Sequence, residues 1–201
     1  MWAKVESSSV TRVYPRPTAI TVGDINYPAN IMSMWTASEL EAIGIYEVVE
    51  DNTNLKNSNY YYNGNETFAY AAGTVTKSFG VATAKEMNNV LWTAEETKPE
   101  GFSTGDIKQK GLKTERKESI NKEAHSLLSQ YDWYTIRAAS GGTATPSAIT
   151  TYQAAVRTAA NSMCTKIDNA ANVDALAALY VYNSDDPPIR PLGEWPDEPT
   201  I

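Results

Sequence analysis

The sequence predicts an α+β fold in which a small antiparallel β-rich N-terminal domain precedes a C-terminal helical hairpin and an extended Pro-rich tail. Short segments of alternating apolar and polar residues, separated by turn residues, fill the first part of the chain. An apolar stripe at helical spacing begins at Leu112, and half of the 10 prolines stand after Asp186. We therefore predict four parts: a β-rich domain with one short helix over residues 1–84, a linker over 85–111, a helical hairpin domain over 112–182 and an extended Pro-rich arm over 183–201.

Composition narrows the classes of protein to which the chain can belong. With 42% hydrophobic and 20% charged residues, the 201-residue chain is apolar enough to build a packed core. A net charge of −7 leaves no broad basic surface for phosphates, so we expect no nucleic-acid partner. Cys164 is the one cysteine and cannot form an internal disulfide. No apolar run is long enough for a membrane span and no signal peptide precedes the first strand, so we expect a protein made in the cytoplasm without a membrane partner.

Two hairpins are predicted at the start of the chain. Trp2–Val5 and Val10–Tyr14 alternate large and polar residues and predict the first hairpin. Pro15 ends it, because proline has no N–H to donate to a strand ladder. Ile20–Val22 and Ile25–Tyr27 predict a second pair of strands around a tight Gly-Asp turn.

A short helix and more strands follow. Thr36 and Glu39 have the spacing of a capping box, and Gly44 suits the left-handed position after a helix, so a helix of about two turns is predicted between them. Ile45–Glu50 then returns to strand character.

The dipeptide Asn63-Gly64 is the strongest turn signal in the chain, because both residues tolerate positive φ at the centre of a hairpin. It predicts a hairpin between Tyr60–Tyr62 and Thr67–Tyr70. Gly73–Phe79 is predicted to be one more strand.

Two long amphipathic helices are predicted after the linker. The first ends in the pair Asp132-Trp133 and has an apolar face formed by Ile120, Ala124, Leu127, Leu128 and Tyr131. The second has Thr145 as its N-cap and Pro146 at its first position. Its apolar stripe consists of Ile149, Tyr152, Val156, Ala160, Met163 and Ile167. Asn172 is predicted to cap a third, short helix.

No pattern in the sequence predicts catalysis, a metal or a cofactor. The carboxylate pairs Asp185-Asp186 and Glu95-Glu96 stand in polar segments, without a neighbouring group that would separate their pKa values into acid and base roles. The acidic residues lack metal-loop spacing, and Gly141-Gly142 lacks the lysine of a phosphate loop. We therefore expect a protein that is not an enzyme and has no cofactor and no metal.

The residues of the helical hairpin follow a specific order: a leucine pair, an Asp-Trp pair, arginine, proline, tyrosine and arginine. They are Leu127, Leu128, Asp132, Trp133, Arg137, Pro146, Tyr152 and Arg157. This order resembles the C-terminal region of phage tail (tail-fibre) assembly-chaperone-like proteins over residues 120–170. The first third of the chain is similar to phage particle proteins through Trp2, Val22–Pro28, Trp35 and Gly44–Tyr46.

The two resemblances imply a protein associated with phage tails. We expect a bacteriophage virion-associated tail structural or adaptor protein that acts through protein–protein contacts, is made in the host cytoplasm and is located in the virion tail. Its partners would be other phage tail proteins, with the chain present as a homo-oligomer or in several copies of a symmetric assembly. An alternative is a tail-fibre assembly chaperone that is absent from the mature particle. A second alternative, a carbohydrate-binding module for host recognition, rests on tyrosines 60–62 and on the tryptophans of the chain.

The residues expected to bind partners lie on the helical hairpin and on the Pro-rich arm. Those on the hairpin are Trp133, Arg137, Tyr152 and Arg157, and those on the arm are Ile189, Leu192, Trp195 and Ile201. Trp133 and Arg137 are four residues apart, so either the guanidinium lies on the indole or the tryptophan is a core residue at a helix end. Because prolines lower the entropy of a free segment, we expect the arm to dock on a partner and to contribute almost nothing to the stability of the monomer.

Overall fold

The computed structural model describes residues 1–200 and divides into two compact units, one over Met1–Thr83 and one from Ala84 onward. Strands and helices are both present, in agreement with the predicted α+β class. Each unit has its own set of buried apolar side chains.

A curled sheet and two short helices make up the first unit. From the start of the chain to Ala84 the elements are β1 (Trp2–Glu6), β2 (Ser9–Tyr14), β3 (Ile20–Val22), β4 (Ile25–Tyr27), α1 (Ile31–Met34), α2 (Ala37–Ala42), β5 (Ile45–Asp51), β6 (Tyr61–Tyr62), β7 (Glu66–Ala71), β8 (Thr74–Phe79) and β9 (Thr83–Ala84). Both N-terminal hairpins, β1–β2 and β3–β4, are confirmed.

Five strands form the main sheet in the order β2-β1-β5-β8-β7. β1 pairs antiparallel with β2 and β5, and β7 pairs antiparallel with β8, whereas β5 and β8 run parallel. The expectation of antiparallel pairing was therefore wrong at this pair. Val48 of β5 lies opposite Val75 of β8, and both are buried, so apolar packing joins the β7–β8 hairpin to the sheet through β8 and leaves β7 at the edge.

The main sheet curls so far that its two edge strands, β2 and β7, contact each other. The inner face holds Ala3, Val48 and Val75, with the partly buried side chains of Met1, Val5, Val10, Val13, Tyr46, Phe68 and Tyr70 around them. A second cluster joins the sheet to α1, α2 and β3, and contains Tyr14, Ile20, Ile31, Met32, Leu40 and Ile45. No backbone pairing joins β2 to β7, so the sheet curls without closing into a hydrogen-bonded barrel in the described part of the chain.

The short helix α2 is confirmed together with its caps. Thr36 donates its N–H to Glu39 Oε2 at 2.8 Å, and its hydroxyl oxygen accepts from the Glu39 N–H at 3.4 Å, which completes the capping box. Gly44 follows the helix with φ +75°. A Cβ at Gly44 would lie 3.0 Å from the Val5 carbonyl oxygen, so glycine is favoured there by both conformation and space.

The hairpin predicted around Asn63-Gly64 is wrong. β6 pairs with β9, and β7 pairs with β8 through a different turn. Asn63 instead accepts from the Lys56 N–H at 2.8 Å and donates to the Lys56 carbonyl at 2.9 Å. Gly64 lies against Gly80, and a Cβ at Gly64 would be 2.6 Å from Gly80 Cα. The Asn-Gly pair therefore closes a polar loop and permits a close approach of two backbones.

The second unit contains a two-stranded sheet and four helices. Their bounds are β10 (Val90–Leu91), β11 (Ile107–Gln109), α3 (Leu112–Ser129), α4 (Asp132–Ala139), α5 (Ser147–Asn169) and α6 (Val173–Ala178).

Residues 85–111, predicted to be a linker, contain the antiparallel β10–β11 pair. The rings of Trp92 and Phe102 lie 6.3 Å apart within the loop that joins the two strands, and Glu96 forms an ion pair with Lys108 of β11. The lysine and the Thr93 backbone lower the pKa of Glu96 to about 2. Gly101 and Gly105 are turn residues inside this hairpin, with φ +89° and +93°, whereas Gly111 is the N-cap of α3 with φ −86°.

The apolar stripe of α5 is confirmed, because all of its predicted members are buried. α3 packs along α5 and buries Leu112, Ile120 and Ala124. The first helix does not continue to Asp132-Trp133 as predicted: α3 ends at Ser129, and Asp132 begins the separate helix α4, where an acidic first-turn residue is favourable.

Two helix caps were tested by the structure. Pro146 is the N-cap of α5 rather than its first residue, and the Thr145 hydroxyl donates to the Tyr134 carbonyl at 3.3 Å instead of capping the helix. The Asn172 cap of α6 is confirmed, because its Oδ1 accepts from the Ala175 N–H at 2.8 Å. Among residues 1–200, no helix combines the length and the hydropathy needed to cross a membrane.

Substitution of the two facing glycines should have unequal effects. Gly64→Ala places a methyl group 2.6 Å from the Gly80 backbone, so we expect a loss of about 1–3 kcal/mol in the free energy of unfolding. Gly80→Ala is the matched control, because its Cβ would be 3.5 Å from Gly64 and should change stability by less than about 1 kcal/mol. Urea denaturation measures both; equal losses would contradict the close approach.

Candidate protein-docking site

The first half of the predicted Pro-rich arm packs into its own unit. Leu192 is fully buried, and its N–H donates to the Leu179 carbonyl at 2.9 Å. Lys166 of α5 donates through Nζ to the carbonyls of Pro191 at 2.8 Å and Leu192 at 3.1 Å. The predicted free arm is therefore wrong over this stretch. Proline prevents regular helix and strand pairing, but it does not prevent apolar burial when a lysine satisfies the backbone carbonyls.

A loop closed by Asn183 leads into this stretch. The Asn183 N–H donates to the Ile189 carbonyl at 2.9 Å, and the Ile189 N–H donates to Asn183 Oδ1 at 2.9 Å. The Arg190 guanidinium lies 5.5 Å from the ring centre of Tyr182 and forms an ion pair with Glu194. These contacts give the loop a defined shape, although it contains neither helix nor strand.

Between α6 and this loop lies an open cleft, which we call the α6 cleft. Its volume is about 450 Å³, and it is lined by Ala178, Val181, Tyr182, Asn183, Ile189, Arg190 and Pro191. Val181 is 63% exposed, Tyr182 49% and Ile189 51%. Large apolar side chains that remain exposed together in a concave surface are typical of binding sites for other molecules. Arg190 places a cation at the wall of this apolar surface.

A second exposed apolar surface lies on α4. Trp133 is 50% exposed and Ile136 65%, and α4 has no buried residue. The Arg137 guanidinium lies 4.7 Å from the Trp133 ring centre and 5.2 Å from that of Tyr134. Of the two interpretations of Trp133, the structure therefore favours the arginine-on-indole contact over a buried core tryptophan. Arg137 Nε is buried without a hydrogen-bond partner, so its interaction with the rings is its main contact in the described part of the chain.

The other predicted residues of the hairpin have different roles. Tyr152 is buried and meets Tyr131 edge-on, with ring centres 5.4 Å apart, so it belongs to the core. Arg157 is exposed on α5. The structure therefore does not assemble the four hairpin residues into one surface, because helical spacing directs Tyr152 inward and Arg157 outward. Ile201 lies outside the described residues.

Residues 194–200 lie against α3 and α5, and we call them the C-terminal strap. Trp195 Nε1 donates to Glu123 Oε2 at 3.1 Å and lies beside Ser126 and Leu127 of α3. Farther along, Pro196, Asp197 and Pro199 line a second cleft with the first turns of α5. Loss of solvent contact raises the pKa of Tyr131, and the charge of Glu198 adds to the rise.

Val181 and Tyr182 line the α6 cleft but were not among the residues predicted to bind partners. Val181 and Tyr182 follow the short helix α6 directly, in the apolar run Tyr180-Val181-Tyr182 before a polar turn. This run could have indicated an exposed apolar surface, because no predicted strand or helix was available to bury it. The prediction relied on the prolines and therefore placed the docking surface in residues 187–201.

Neither a metal site nor a flat tyrosine platform is found in residues 1–200. No group of three His, Cys, Asp or Glu side chains there could hold a metal ion. Burial raises the pKa of the Cys164 thiol. Tyr60 is buried, Tyr61 half-buried and Tyr62 exposed, so the three rings do not form the shared surface that sugar stacking requires.

Comparisons with protein-family models, with curated proteins and with solved structures find no significant match to this chain.

Two substitutions in the Pro-rich segment should separate its core residue from its surface residue. Leu192→Ala empties a fully buried position, so we expect the free energy of unfolding to fall by about 2–5 kcal/mol. Ile189→Ala removes a half-exposed side chain and should cost less than about 1 kcal/mol. Thermal or urea denaturation followed by circular dichroism measures both. A Leu192→Ala variant as stable as the parent would show that this segment is a free arm after all.

Proposed function

We propose that the chain is a bacteriophage tail structural or adaptor protein that acts through protein–protein contacts. The order of residues along α3, α4 and α5 resembles phage tail assembly-chaperone-like proteins, and the first unit resembles phage particle proteins. In this proposal the protein is present in several copies in the virion tail. Other tail proteins are its partners, and it carries no catalytic function.

The α6 cleft is the observation that carries the proposal. Val181, Tyr182 and Ile189 leave apolar area exposed in one concave surface, and Tyr182 is the kind of side chain that dominates protein interfaces. Because a cleft of this kind buries apolar atoms only when a partner is seated in it, its exposure supports a docking role. The exposed Trp133 and Ile136 on α4 give a second apolar surface for the same purpose.

The rigidity of the cleft supports a permanent contact over a transient one. One side is formed by Ala178 at the end of α6 and by Val181 and Tyr182 after it. The other side is held by the buried Leu192 and by the two hydrogen bonds between Asn183 and Ile189. A preorganised surface loses little conformational entropy on binding, which favours long-lived complexes. An assembly chaperone, the alternative role, would use the same cleft but would have to release its client before the particle is complete.

Composition of the finished particle separates the two roles. We expect mass spectrometry of gradient-purified virions of the encoding phage to detect the chain at a constant ratio to other tail proteins. A chaperone would be found in the infected-cell lysate and be lost from the particles. Absence of the chain from both particles and tail intermediates would remove the tail assignment altogether.

A charge in the cleft tests the docking surface itself. Val181→Asp places a carboxylate in the apolar cleft, so incorporation into virions should fall roughly tenfold or more, as for loss of an interface anchor. Val81→Asp makes the same change at an 82% exposed valine of the first unit and should leave incorporation unchanged. Circular dichroism of both purified variants checks that each is folded. Equal incorporation of the two variants would show that the α6 cleft does not bind tail partners.

A further inference from the structure

The C-terminal strap is attached to its unit by side chains alone. Within the described residues, no backbone atom of residues 194–200 forms a hydrogen bond, whereas Leu192 and Gly193 just before them both donate one. The anchors of the strap are the ion pair of Glu194 with Arg190, the Trp195 indole on Glu123 and the prolines beside α5. Detachment of the strap would therefore break few interactions and would leave the buried Leu192 in place.

The surface beneath the strap is only partly filled by it. A cleft of about 440 Å³ remains between the strap and the α5 residues Ser147, Ala148, Thr151, Tyr152 and Ala155. Ala148, Ala155 and the buried Tyr152 are among its lining residues. This surface binds a short proline-containing segment with a tryptophan at one end, and the strap of any other copy of the chain has the same sequence.

We propose that the C-terminal strap exchanges between copies, so that the strap of one copy occupies the α3–α5 surface of its neighbour. The contacts in the exchanged form are the same as those in the closed form, so exchange creates links between copies without requiring a new interface. Pro196 and Pro199 reduce the freedom that the strap loses when it binds again. Trp195 stands three residues after the buried Leu192 and can lie at most about 11 Å from it when the chain is extended, so exchange requires a neighbour whose α3 lies directly beside this segment.

Concentration decides between the two forms. A segment tethered to its own binding surface competes at an effective concentration in the millimolar range, so dilute chains stay closed. Copies held side by side reach similar local concentrations and exchange their straps. The crowded setting of a virion tail rests on the proposed function, but the exchange itself is a property of the purified chain.

Cross-linking of full-length chains tests the exchange. In a Cys164→Ser background, Asp197→Cys marks the strap of one variant and Thr151→Cys marks the α5 surface of a second variant that carries a mass tag. The two variants are mixed over a range of concentrations and treated with a short bis-maleimide. Dimers of one tagged and one untagged chain should form, and their yield should rise with protein concentration. A double variant carrying both cysteines should cross-link within one chain when dilute.

Two controls distinguish exchange from random collision. Ser33→Cys, exposed on α1, replaces Thr151→Cys as a partner of the strap cysteine and should give only background yield. Trp195→Ala in the strap variant removes its anchor but keeps the cysteine, and should lower the dimer yield by roughly tenfold. Dimers no more abundant than the Ser33→Cys background at any concentration would overturn the proposal, and so would a yield unaffected by Trp195→Ala. Failure of exchange would leave the test of the α6 cleft by virion composition untouched.

Discussion

Packing along the buried stripe of α5 is the interaction on which the second unit depends. Ile149, Val156 and Ile167 have no exposed surface, and they span five turns of one continuous helix. α3 must lie along this stripe to cover it, and Ile120 is the α3 side chain most fully buried in return. α4 lies between these two helices in the chain and has no buried residue, so Trp133 and Ile136 stay exposed outside this core.

The same constraint explains why the Pro-rich segment changes character at Gly193. Lys166 lies on α5 near its C-terminal end, and its ammonium group takes the carbonyls of Pro191 and Leu192. Those two bonds satisfy backbone acceptors that have no helix or strand partner, so Leu192 can be buried. From Glu194 to Thr200, beyond Gly193 with its φ of +105°, the structure shows no backbone hydrogen bond, and side chains hold the strap. The buried Leu192 before this glycine supports one side of the α6 cleft. The weaker attachment of residues 194–200 after it is what the proposed exchange of the strap requires.

Features set by residues close together in the sequence were predictable, whereas features set by residues far apart were not. The capping box at Thr36, the Asn172 cap and the α5 stripe are determined by residues three or four apart, and they were predicted correctly. The parallel β5–β8 pair depends on contacts between residues far apart in the chain, and no local pattern encodes it. Asn63-Gly64 has the local signature of a hairpin turn, but the position of Gly80 decides its conformation.

The candidate docking site was predictable only in part for the same reason. Trp133 and Arg137 meet because they are one helical turn apart, whereas Leu192 is buried through its contacts with Leu179 and Lys166. Proline content indicated an extended segment, but it could not indicate whether a partner or the chain itself covers that segment. Val181 and Tyr182 line a cleft because the loop closed by Asn183 places Ile189 beside them, a contact between residues that no local pattern in the sequence indicates.

The division of the Pro-rich segment at Gly193 is most directly tested by residue-resolved hydrogen exchange of the full-length chain. The N–H groups of Asn183, Ile189 and Leu192 are hydrogen-bonded, so they should exchange slowly, at rates set by opening of the unit. The N–H groups of Glu194, Trp195, Asp197, Glu198 and Thr200 should exchange at nearly the rate of an unstructured peptide, since Pro196 and Pro199 have no N–H. Protection that continues evenly through residues 194–200, or fast exchange at Leu192, would contradict a buried core segment followed by a detachable strap.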